Sequence, residues 1–167
     1  RLRGIMQPFF KPSELEKLRS YIEQTVAQRC AAIEAATPAG QAFDWIAHFA
    51  RPLPAAVIVR FLGLQEVGEA EHVQFMQWSR DLAVFIGVPL ADKSHWRAAQ
   101  RSIMQMAAFF SRSFAQGRVA AGSLLARLGQ AQADGEIDDA ELIAQSAMLL
   151  FAGHETTRHL LGTSVLR

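Results

Sequence analysis

The chain has 167 residues, half of them apolar, with 17 basic and 16 acidic side chains and a formal net charge of +1. That is enough chain to bury one real core, and too apolar a chain for disorder. A charge so near zero, with arginines scattered rather than blocked, provides no field for nucleic acid or an anionic membrane. The one cysteine, Cys30, excludes an internal disulfide. The longest apolar run, 147–153, is far short of the roughly 20 residues a membrane span needs. With no secretory signal, a cytoplasmic setting is expected. Both ends look cut, Arg1 at the start and Arg167 inside an unfinished helical pattern, which suggests an internal piece of a longer protein.

Residues 1–10 mix basic and apolar side chains and read as the tail of a helix, with Pro8 and Pro12 bracketing a turn. Ser13 as N-cap with Glu16 three positions on predicts a capping box. Leu15, Leu18, Ile22, Val26 and Ile33 then recur at helical spacing, predicting an amphipathic helix over 14–36 that ends at Thr37-Pro38-Ala39-Gly40. Asp44 caps a short helix to Ala50. Pro52 and Pro54 interrupt it, each lacking a backbone donor, and helix resumes over 55–62 until Gly63. A further helix spans 66–86. Residues 87–90 form a break that leaves apolar side chains in a loop, fit either for ligand access or for plain packing. Asp92 caps a segment to Gln116 whose Phe109, Phe110 and Phe114 make an aromatic stripe for the core. A short helix covers 122–132. Asp138 caps the last helix, with Glu141 completing a box and Ile137 and Leu142 forming a staple. Its pattern runs from Asp139 to Arg167, about 43 Å at about 1.5 Å per residue. The predicted class is all-α, a single unit over 1–167.

The chemistry concentrates in Leu149-Leu150-Phe151-Ala152-Gly153-His154-Glu155-Thr156-Thr157. A glycine, a carboxylate and two threonines inside an apolar helix break several local rules at once, as functional sites do. The plain alternative is a buried helix in which each threonine hydroxyl bonds back to a carbonyl one turn earlier. His154-Glu155 invites a zinc-protease reading, but the second histidine, His159, lies five positions on, about 140° around the helix, and cannot share the metal. Cys30, mid-helix with no second thiol, reads as a small buried hydrophobe. Glu155 beside Thr156 can relay protons if water reaches them, and Gly153 lets a flat ligand or a diatomic molecule approach the backbone.

Ala152-Gly153-His154-Glu155-Thr156 resembles the [A/G]-G-x-[E/D]-T pattern in the central, oxygen-activating helix of the cytochrome P450 monooxygenases of soluble bacterial type. Further stretches are similar to the same family in the same order. Arg1-Leu2-Arg3 with Phe9-Phe10 and Pro12 resembles the end of the third helix. The segment 49–54 with Val57-Ile58 and Leu62-Gly63-Leu64 resembles the fifth. The resemblance covers essentially the whole chain, from the third helix to the central one. It implies the helical part of the P450 fold, a haem b cofactor, O2, an apolar small-molecule substrate and a ferredoxin-type redox partner. It also implies roles: Glu155 and Thr156 as the catalytic proton pair, Ala152 and Gly153 around bound oxygen, and Arg3 on a haem propionate. Met148, Phe151, Phe85, Val88 and Leu90 would face substrate, the last three in the loop between two lid helices. The family's haem cysteine pattern, F-x-x-G-x-x-x-C-x-G, and its E-x-x-R helix match nothing in these residues, and Cys30 stands in the wrong surroundings. The expectation is therefore part of a haem-thiolate monooxygenase, inactive and poor at binding haem by itself. A free-standing helical ligand-binding or interaction module without catalysis is the alternative.

Overall fold

A computed structural model describes residues 1–87 and 92–166. Among them the regular elements are helices, as the all-α expectation requires. They are α1 (Leu2–Met6), α2 (Pro12–Glu16), α3 (Arg19–Ala36), α4 (Pro52–Leu62), α5 (Glu69–Gly87), α6 (Lys93–Ala115), α7 (Leu124–Ala133) and α8 (Asp139–Ser164). A 3-10 turn (Gln7–Phe10) follows α1 and a π-helical turn (Ile46–Ala50) precedes α4. An antiparallel bridge between Leu64 and Val119 pins the loop after α4 to the loop after α6.

Helix α8 is the axle. It packs against α4, α5, α6, α7 and the π-helical turn, while α5 and α6 lie against one another. The core joins these contacts: Phe75 and Trp78 of α5, Phe109 and Phe110 of α6, Leu124, Leu125 and Leu128 of α7, and Leu142 and Leu150 of α8. Phe75 meets Phe109 edge to face at 4.9 Å between ring centroids, the arrangement that ring quadrupoles favour. Phe114 of the predicted stripe is half-buried and leans on this core from its edge. Buried hydroxyls divide between bonds within their own helix, as Ser146 to the Leu142 carbonyl, and bonds across elements, while those of Ser79 and Ser113 have no partner among the described residues. Trp78 Nε1 donates to Gln105 Oε1 at 2.8 Å, and Ser102 Oγ donates to Asp81 Oδ2 at 2.7 Å.

Several helix boundaries follow from capping chemistry. Asp44 accepts from the Ala47 amide, Asp92 from those of Ser94 and His95, and Asp138 with Glu141 closes a full capping box. Ser13 caps nothing. Lys11 is the extended N-cap residue and Pro12 takes the first helical position, so the helix starts before the serine, and Glu16 pairs instead with Arg19. The predicted 14–36 helix is also broken: at Lys17 and Leu18 the amides bond three residues back, to Glu14 and Leu15, a tighter turn between α2 and α3. Pro52 and Pro54 do not interrupt a helix; they open one. Both lie in the first turn of α4, where amide hydrogens have no helical acceptor and a missing one costs little. The chain reaches them through the π-helical turn, in which the Arg51 amide bonds the Ile46 carbonyl at 3.0 Å. The last helix stops at Ser164 rather than running on to the end of the chain.

Candidate functional site

The two sides of α8 differ sharply. Leu142, Ser146, Leu150, His154 and Glu155 are buried. At four-residue spacing on another face, Met148 (51% exposed), Ala152, Thr156 and Leu160 (68% exposed) form a bare stripe, mostly apolar. A helix buried along one face while leaving such an apolar stripe open on another presents a surface fit for a large apolar partner. Thr156 Oγ1 donates to the Ala152 carbonyl at 2.9 Å and Thr157 Oγ1 to the Gly153 carbonyl at 3.3 Å, the back-bonding expected of both threonines. A hydroxyl whose hydrogen is engaged in this way still offers lone pairs to a donor.

Gly153 lies on a different side, against α4. A Cβ there would stand 2.4 Å from Ile58 Cδ1 and 2.7 Å from Cγ1, so the glycine is what lets α4 and α8 cross this closely. Glu155 turns towards α5 and away from the stripe. It is 7% exposed and is held by Arg158 one turn on, whose Nε reaches Oε2 at 3.3 Å and whose NH2 reaches Oε1. His159 Nε2 lies 3.2 Å from the same Oε1. Beside it His154 is buried, its Nε2 3.2 Å from the Arg51 carbonyl at the start of α4. Burial pushes the imidazole below its ordinary pKa, against smaller upward pulls from that carbonyl and from Glu155. These groups line a cleft of about 620 Å³ between α8 and α5, together with Arg51, Gln77 and Arg80.

The remaining predicted positions are spread over the molecule. Met148, Ala152 and Thr156 share the bare stripe, whereas Phe151 is half-buried and packs on the core. Phe85 is exposed near the end of α5, and Val88 and Leu90 lie outside the described residues. Arg3 is exposed on α1 and lines a shallow hollow with Met6, Gln7 and Phe10. Cys30 is exposed on α3, contrary to the buried thiol expected: it falls on the outer face of that helix. Sequence reasoning weighed His154 only as a zinc ligand and passed over Arg158. The three-residue step from Glu155 to Arg158 is a helical ion-pair spacing and could have been noticed. The meeting of His154 with a carbonyl 103 positions away carries no sequence signal.

No family profile matches the chain. Individual relatives do. It is 31% identical to erythromycin C-12 hydroxylase of Saccharopolyspora erythraea over 98% of this chain and 40% of that protein. It is 32% identical to cytochrome P450 107B1 of the same organism over 99% of this chain and 38% of the relative. The chain belongs to the cytochrome P450 family. The crystal structure of CalO2 superposes with a TM-score of 0.83 at 29% identity, over 99% of this chain and 40% of that one. Thus the chain spans about 40% of the P450 relatives it matches, and within that span its helices follow theirs throughout. The P450 cofactor is haem, and the bare stripe fits such a group. A flat macrocycle needs a face without protruding bulk, and Ala152 supplies only a methyl between Met148 and Thr156.

Proposed function

We propose that these residues are part of a haem-thiolate monooxygenase that inserts one oxygen atom from O2 into an apolar small molecule, with α8 as the wall above the haem. The supporting observation is the bare stripe of Met148, Ala152, Thr156 and Leu160 on a helix whose opposite face, at Leu142, Ser146, Leu150 and His154, is buried against its neighbours. Haem, when bound, supplies the oxygen activation and the oxidation itself. Ala152 leaves room for a ligand close to the backbone. Thr156 Oγ1, its hydrogen directed at the Ala152 carbonyl, turns its lone pairs to the exposed side, where they accept from a proton-bearing ligand and hold it in place. Glu155, next in sequence but facing the cleft, takes protons from water there and passes them towards Thr156. Gly153 serves oxygen binding by letting α8 sit close to α4.

Met148 gives the stripe an apolar end fit for substrate, backed by Phe151, and Phe85 at the end of α5, with Val88 and Leu90, is a further substrate contact. Arg3 is the cation for a haem propionate. A ferredoxin delivers the electrons, and the setting is cytoplasmic. Erythromycin C-12 hydroxylase, by its name, hydroxylates a carbon, in keeping with an oxygen-inserting role here. The 167 residues by themselves, with the stripe bare, bind haem poorly and turn nothing over. Thr156→Ala in the whole haem-loaded protein tests the assignment: product formed per O2 consumed drops several-fold as oxygen is released reduced but unused. An unchanged ratio removes Thr156 from the proton path.

A further inference from the structure

His154 takes no part in the scheme above, yet its surroundings are specific. It is 3% exposed. Its Nε2 meets the Arg51 carbonyl at 3.2 Å, and a carbonyl only accepts, so Nε2 carries the hydrogen. The neutral ring then presents Nδ1 as a lone pair. That Nδ1 is buried without a hydrogen-bond partner among the described residues, and it faces Glu155 Oε2 at 3.8 Å. Two acceptors confront one another with no donor between them. A buried acceptor left unmatched, as Nδ1 is, costs about 1–3 kcal/mol, and one proton placed between the two gives it a donor after a shift of about 1 Å to ordinary hydrogen-bond length. A bridging water is the poorer solution, because Nδ1 has no accessible surface for it to touch.

We infer that His154 and Glu155 form a one-proton dyad, in which His154, anchored on the Arg51 carbonyl, is the positioning residue that retains the proton Glu155 delivers. The inference rests on the reading of Glu155 as proton donor. In loading, an O–H bond of a hydronium ion in the cleft breaks and an O–H bond forms at Glu155 Oε2, donating to His154 Nδ1. In delivery the Oε2–H bond breaks, the proton joins an acceptor on the Thr156 side, and Nδ1 regains its free lone pair. No electrons are exchanged. The groups facing the dyad decide when it loads. Arg158 and His159 stand on α8, Arg51 at the head of α4, and Gln77 and Arg80 on α5. Three guanidinium groups oppose an added proton and the Glu155 carboxylate draws it in. Arg158 must release the carboxylate as the proton arrives, and it has the open cleft to move into.

The test is pH-difference infrared spectroscopy of the whole haem-loaded protein, following the C=O stretch of a protonated carboxyl, with Glu155→Gln to assign the band. His154→Gln keeps an amide N–H for the Arg51 carbonyl but has no Nδ1. The titration midpoint of the Glu155 band moves down by about one pH unit in that variant, a roughly tenfold fall in the ratio of protonated to ionised carboxyl at fixed pH. An unmoved midpoint overturns the dyad. Should the variant not fold, nitrogen NMR of the wild-type imidazole decides. A ring protonated at Nε2 whose Nδ1 gains a hydrogen bond on acidification supports the dyad, and an Nδ1–H tautomer overturns it. The two readings fail separately. Coupling unaffected by Glu155→Gln removes the donor role but leaves the shared proton, whereas coupling lost there with the midpoint unmoved in His154→Gln removes the dyad alone.

Discussion

Gly63 ends α4 at φ +83°, and a Cβ there would lie 2.1 Å from Ser123 Cβ. Two penalties coincide at this position. A left-handed backbone costs a side chain about 1–2 kcal/mol, and Ser123 would have to leave the place from which its Oγ caps α7 through the Ala126 amide. Gly63→Ala therefore lowers unfolding stability by about 2–4 kcal/mol, measured by urea denaturation of the whole protein. A midpoint equal to wild type contradicts the close approach. At this scale the sequence was partly readable. Gly63 as a helix stop and Asp138 with Glu141 as a box rest on backbone chemistry that acts locally. The exposure of Cys30, the anchor of His154 and the burial of Glu155 depend on neighbours far along the chain, which no local pattern encodes.

Helices α4 and α8 meet at Ile58 and Gly153, and the balance there can be reversed. Alanine in place of a mid-helix glycine gains about 1 kcal/mol of helix propensity, while forcing a methyl group into a filled core typically costs about 1–3 kcal/mol. The clash involves Cγ1 of Ile58 as well as its tip, so the side chain cannot simply rotate its end aside. Gly153→Ala is thus destabilising in the wild-type background, and the same change becomes stabilising once Ile58 is alanine. A double-mutant cycle measured by thermal unfolding checks the change of sign, and additive effects would refute the contact. Elements were legible where polar residues punctuate them and misread where prolines were taken only as breakers. Pro52 and Pro54 fall in the one turn of a helix that needs no amide hydrogens, and sequence spacing does not say which turn is the first. The faces of α8 were equally hidden. Apolar residues surround much of this helix, so its periodicity is weak, and only its neighbours determine that Met148 and Leu160 stay bare while Leu150 is enclosed.

Across the whole molecule, two histidines tie stability to pH. Burial lowers the pKa of His154, and burial followed by the nearby Arg29 charge lowers that of His72. The unfolded chain then binds more protons than the folded one below about pH 6.5, the ordinary histidine value, so stability falls on acidification from there down to the folded pKa values. The slope is at most about 1.4 kcal/mol per pH unit for each histidine. Glu71 adds a lower window. The Arg118 guanidinium beside it holds its carboxyl below the usual range, so its contribution is present at neutral pH and is lost as pH falls below about 4.3 towards the folded pKa. His72→Gln flattens the pH 5–6.5 limb of a denaturation series relative to pH 7.5. An identical limb in the variant would show His72 to be free of burial effects. The all-α class was visible because no stretch alternated with period two, and the family motif was legible because it is compact. The cleft between α5 and α8 was not, since its walls are 67 or more positions apart in the chain at their nearest approach in sequence, Gly87 to His154.

The π-helical turn before α4 carries a last consequence, an optical one. Trp45 at its head stacks on Phe49 with centroids 4.3 Å apart, and its indole Nε1 donates to the Leu161 carbonyl at 2.9 Å. That carbonyl sits one turn beyond the Thr156–Thr157 pair, so this indole is a built-in fluorophore for the far half of α8. The other two tryptophans are on α5 and α6, Trp78 enclosed in the core and Trp96 largely in solvent. When a ligand against the bare stripe shifts the end of α8, Trp45 loses or tightens its hydrogen bond and its emission changes. In Trp45→Phe that component of the signal is absent.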